Sequence, residues 1–205
     1  VITELGHEPE IIDYDPYNDS GRNGSSLNRL ACWLTKPLGR LGKPDRSNSA
    51  ENCFTVSRAQ QRACFDRFLS RELGLGKTTY FNAQQLLAKP PLADAYIVGS
   101  DQVWNPVSHF KDPAYFLHFA QSHKRIAYAP SFGVSSLPEE TRSWYQDQLS
   151  GMAYLSAREQ AGADIICSLI GESVPVVLDP VFLREQADWS QFADSACLPQ
   201  RPYLL

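Results

Sequence analysis

Apolar residues along this chain fall into two rhythms, short unbroken runs and longer stretches spaced three and four apart. The runs predict strands at Glu10–Tyr14, Tyr96–Val98, Arg125–Ala129, Met152–Leu155 and Val174–Leu178, and a last one begins at Tyr203. The helical spacing places Cys64, Phe65, Phe68, Leu69 and Leu73 on one stripe, with Ser57 as cap and Gly74 as terminator. Asn82 caps a short helix through Leu87 that Pro90-Pro91 stops. Pro138 opens a helix to Leu149, with Glu139 and Glu140 in the first turn, where the helix dipole favours acids. Ser156 and Glu159 read as a capping box for a helix reaching Ile170 and closed by Gly171. Val1–Leu5 reads as the end of a helix closed by Gly6. Residues 18–53, rich in Gly, Ser, Asn and Pro, form a long excursion. Strands alternating with amphipathic helices predict an α/β fold, a parallel sheet with helices on both faces.

That pattern matters for function because open parallel sheets bind ligands beyond the carboxyl ends of their strands. Four motifs lie at such ends: Gly99-Ser100-Asp101, Pro130-Ser131-Phe132-Gly133, Ser156-Ala157-Arg158-Glu159 and Leu178-Asp179-Pro180. Gly99 permits a close backbone approach, Ser100 supplies a hydroxyl, and Asp101 a carboxylate able to accept a proton. Trp104 offers a flat face suited to a sugar ring; the alternative is a turn capped by Asp101 with Trp104 filling the core. Phe132 between Ser131 and Gly133 lines a pocket or belongs to an ordinary turn. Arg158, read into the first turn of its helix, sits badly with the dipole and asks for an anion. That anion is either a bound carboxylate or phosphate or a neighbour such as Asp179.

Composition narrows the choice. With 205 residues, 43% hydrophobic and 20% charged, the chain is an ordinary globular protein. A net charge of −4 lacks the basic excess of a nucleic-acid binder. Five cysteines without a CxxC pair argue for reduced thiols and a cytoplasmic setting, free or peripheral to the inner face of the membrane. No apolar run approaches the roughly 18–20 residues of a membrane span. The four histidines make no metal pattern, and neither a GxGxxG nor a Walker loop nor a GxSxG elbow occurs. Neither metal nor cofactor is expected. Both ends read as cut, so the chain is taken as a piece of a longer protein.

At these motifs the chain resembles the polysaccharide pyruvyl transferase family. "DAYIVGSDQVWNP" from Asp94, "YFLHFAQSHKRIAYAPSFG" and "SAREQAG" through "VPVVLDPVFL" follow in the family's order, after the opening "LGHEPEIIDY". The 18–53 excursion and Ala157, where a β-branched residue is commoner, depart from the pattern. The resemblance implies transfer of a pyruvyl group from phosphoenolpyruvate onto two hydroxyls of a saccharide, forming a ketal and releasing phosphate. It implies one Rossmann-like half of a GT-B-like two-domain enzyme, residues 1–198, lacking its first strand and loop. Residues 199–205 would begin the second domain. For that chemistry Asp101 and Arg158 are the candidate catalytic residues, Asp101 to orient or deprotonate the acceptor sugar and Arg158 to bind the anionic donor. Gly99, Ser100, Trp104, Asn105, Ser131, Phe132, Gly133 and Glu159 are the candidate substrate contacts. The competing readings are a GT-B-like glycosyltransferase using a nucleotide sugar and a non-catalytic saccharide-binding domain.

Overall fold

The computed structural model describes residues 1–16, 63, 67–68, 71–72, 75–107 and 111–192. The 18–53 excursion, the Ser57 cap, the stripe positions Cys64, Phe65, Leu69 and Leu73, and the strand beginning at Tyr203 lie outside them. Within the predicted 57–73 helix, Ala63, Arg67, Phe68, Arg71 and Glu72 are helical. The chain divides into two compact units, Tyr80–Gln191 with Val1, and Ile2–Thr79 with Phe192–Leu205.

In the second of these units the opening turn is 3-10 rather than α, Thr3–Leu5, closed by Gly6 at φ 85°. Strands β1 (Ile11–Tyr14) and β2 (Leu75–Tyr80) pair as a two-stranded sheet, and the Thr79 hydroxyl donates to the Asp13 carboxylate. The sequence pattern did not predict β2, because only its ends are apolar; its two threonines supply β-branched residues that favour the extended chain.

In the larger unit Asn82 caps α1 (Ala83–Ala88), its side chain accepting from the Gln85 N–H at 2.9 Å. Strands β3 (Tyr96–Val98), β4 (Arg125–Ala127) and β5 (Tyr154–Leu155) lie parallel in the order β3-β4-β5. Beyond β4 the chain leaves the ladder at Ala129, whose φ is 50° and whose N–H goes to Ser156 Oγ. The predicted Val174–Leu178 strand is reduced to one parallel bridge between Ala157 and Val176. Pro175 has no N–H with which to extend a ladder.

Register puts Val98, Ala127 and Leu155 in one row and Ile97, Ile126 and Tyr154 in the other. The first row packs into the core with α2 (Glu139–Leu149) and α3 (Gln160–Ile170), through Tyr145, Leu149, Ile165, Ile166 and Leu169. In the second row Ile97 and Tyr154 are exposed. Within this unit α2 and α3 cover the face that carries Val98 and Ala127. A short helix α4 (Gln186–Ser190) follows, opened by a reciprocal capping box between Glu185 and Asp188.

The capping of α3 also differs from expectation. Glu159, not Ser156, is its N-cap residue, without a side-chain capping bond. Ser156 Oγ instead donates to the Ala127 carbonyl and accepts from the Ala129 N–H, both at 2.9 Å. Buried between two strand-end loops, that hydroxyl is worth more as a bridge than as a cap. Arg158 thus precedes the helix and does not lie in its first turn.

Candidate functional site

Parallel strands deliver their carboxyl ends to one edge, and the backbone stitches the loops there together. Tyr128 N–H donates to Val98 O at 2.9 Å, Ser131 N–H to Asp101 O at 3.0 Å, Trp104 N–H to Ser131 O at 3.2 Å, and Arg158 N–H to Pro130 O at 3.1 Å. Gly99, at φ 133°, has Tyr128 O where a Cβ would stand, so only glycine allows the first two loops this approach.

On that frame Arg158 meets three carboxylates. Its Nη1 stands 3.3 Å from Asp179 Oδ2 and 3.6 Å from Asp101 Oδ1, and its Nε is 3.6 Å from Glu159 Oε2. Ser100 Oγ donates to the same Asp179 Oδ2 at 2.8 Å, while Asp179 Oδ1 accepts from Val181 N–H at 3.1 Å. Burial alone would push the Asp179 carboxyl up. The Val181 N–H, the Ser100 hydroxyl and the Arg158 guanidinium outweigh it and hold the group below the usual carboxylate range. Glu159 Oε1 accepts from the buried Ser131 hydroxyl at 2.7 Å, and that hydroxyl accepts from Gly133 N–H at 3.0 Å. Asp101 differs from its companions. Its side chain is 57% exposed, and its Oδ1 stands within ion-pair distance of Arg158.

Asp101, Arg158, Ser100, Ser131, Gly133 and Glu159 are thus brought together from loops far apart in the chain. Asp179, which the sequence marks as a strand-end residue and a pairing partner for Arg158 but not as a candidate site residue, belongs with them. The anion Arg158 asked for is supplied by the chain itself.

Trp104 and Phe132 are corrected. Both are 0% exposed, so neither presents a face to a sugar. The Trp104 ring stacks on Phe116 with centroids 5.1 Å apart and lies 5.4 Å from Phe132. Its indole N–H donates to Tyr115 O, and Tyr145 OH donates to its carbonyl, both at 2.9 Å. The large apolar area of these rings is better buried than left at a wet rim. Asn105 is also buried; its amide donates to Gln102 Oε1 at 2.9 Å and accepts from Val107 N–H at 2.8 Å, which fixes the turn rather than facing a ligand. A Cβ on Gly133, at φ 64°, would crowd both amides.

Among the described residues no helix is long and apolar enough to cross a membrane, and no three His, Cys, Asp or Glu side chains are placed to hold a metal ion. No curated protein and no solved structure matches the chain. A family model does, the one described as polysaccharide pyruvyl transferase, over residues 1–204. With order, motifs and match agreeing from end to end, the chain belongs to the polysaccharide pyruvyl transferase family.

Proposed function

We propose that this chain forms the acceptor side of an enzyme that moves a pyruvyl group from phosphoenolpyruvate to a saccharide of a polysaccharide, as one Rossmann-like half of a GT-B-like protein. In that reaction two acceptor oxygens bond to C2 of the enol, C3 takes up one proton, and phosphate leaves with the other. A base must therefore meet an acceptor hydroxyl. The observation that carries the reading is Asp101, the most exposed of three carboxylates grouped on one guanidinium. It orients the acceptor hydroxyl and takes its proton.

The charge of the rim assigns the substrates. Three carboxylates to one guanidinium repel a donor that carries both carboxylate and phosphate, while hydroxyl groups donate readily to carboxylates. The donor's anionic groups are then held by cations outside this cluster, and Arg158 organises the rim. The scattered thiols support the cytoplasm as the place of work.

The test uses the full-length protein with phosphoenolpyruvate and saccharide acceptors, following phosphate release and the ketal product. Asp101→Asn should lower kcat by about 10²–10⁴-fold, the usual contribution of a positioned base. Turnover undiminished in that variant removes the role of Asp101. Nucleotide release from a sugar nucleotide, with no phosphate from phosphoenolpyruvate, replaces the whole reading with a glycosyltransferase.

A further inference from the structure

We infer that Asp179 is a positioning residue of this site, a single carboxylate that ties Ser100 to Arg158 and thereby sets where Asp101 is held. The inference rests on the acceptor-side reading above.

Asp179 caps the 3-10 turn Pro180–Leu183, and that duty occupies only Oδ1, through Val181 N–H. Oδ2 does something a cap does not require. It accepts from Ser100 Oγ at 2.8 Å and faces Arg158 Nη1 at 3.3 Å, and the same Nη1 lies 3.6 Å from Asp101 Oδ1. Ser100 and Asp101 are adjacent in sequence, so Asp179 holds the dipeptide at both ends, directly at Ser100 and through the guanidinium at Asp101. Glu159 engages Arg158 from the other side, at Nε. A guanidinium fork gripped at Nε and Nη1 has its plane set, and with it the point at which it holds a third carboxylate. Both Asp179 oxygens are used inside the protein, so the residue works through its neighbours and not by touching substrate.

Asp179→Asn separates the two duties. Asn caps as well as Asp, so Oδ1 keeps Val181 N–H. Its amide nitrogen then stands where Ser100 and Arg158 need an acceptor. In the full-length protein the variant should lower kcat by about 10–100-fold with the acceptor KM changed less than about threefold, because the loss falls on geometry at the reacting hydroxyl. Added to Arg158→Lys it should cost less than about a further threefold, since residues acting as a unit are not additive. A kcat within about twofold of wild type, or effects of the two substitutions that simply multiply, overturns the inference. If the full-length protein shows no pyruvyl transfer, the functional reading fails and the clamp is decided separately by NMR. The Arg158 Nη–H signals, assigned by their loss in Arg158→Lys, should be slow to exchange in wild type and fast in Asp179→Asn. Unchanged signals overturn the clamp.

Discussion

The Ser131 hydroxyl donates to Glu159 Oε1 at 2.7 Å, joining the loop after β4 to the residue that opens α3. The same oxygen accepts from Gly133 N–H, so one small side chain completes two groups at once. Ser131→Ala strands both. With Ser131 only 2% exposed, the expected loss is about 1–3 kcal/mol in urea unfolding, the usual cost of leaving a buried polar group unpaired. A loss within error of zero would mean that water replaces the hydroxyl.

Trp104 supplies a sharper contrast between packing and binding. Its ring lies among Phe116, Phe132 and Tyr145, with its N–H satisfied by Tyr115 O. Trp104→Ala should cost about 3–5 kcal/mol of stability, as large-to-small changes in cores do. Trp104→Phe keeps most of the apolar volume but leaves the Tyr115 carbonyl without its donor, about 1–3 kcal/mol. A sugar platform would behave otherwise, raising the acceptor KM while the unfolding midpoint stayed put.

The pH dependence of folding carries the mark of Asp179. Its folded pKa lies below the unfolded value of about 3.9, so the unfolded chain binds the proton more readily. The resulting stabilisation is complete above pH of about 4 and is lost as pH falls through the lower folded value. Urea unfolding of wild type and Asp179→Asn at pH 7, 4 and 3 should show the gap in favour of wild type narrowing at the acid end. A gap that widens there would mean the carboxylate is not held in its charged form.

Local signals carried a good part of this fold. Asn82 followed by an apolar-periodic stretch marked α1, Pro138 with two acids marked α2, and Gly171 marked the end of α3 at φ 75°. Each works through a backbone conformation or an orphan N–H within a few residues, so its meaning survives without tertiary context. Where a local signal had a long-range competitor, it failed. Ser156 had the spacing of a capping box, but its hydroxyl lies between Ala127 O and Ala129 N–H, groups 29 and 27 residues away along the chain.

By itself, then, the sequence determined the α/β alternation, the strand ends at which polar loops gather, and the motif order that marks the family. Tertiary structure alone decided that Trp104 and Phe132 turn inward while Asp101 stays open, because facing depends on which elements close over a residue. It alone placed Asp179 at the hub, 79 residues from Ser100 and 21 from Arg158. No spacing rule connects residues so far apart. Only parallel strands ending at a common edge bring their loops within hydrogen-bond reach.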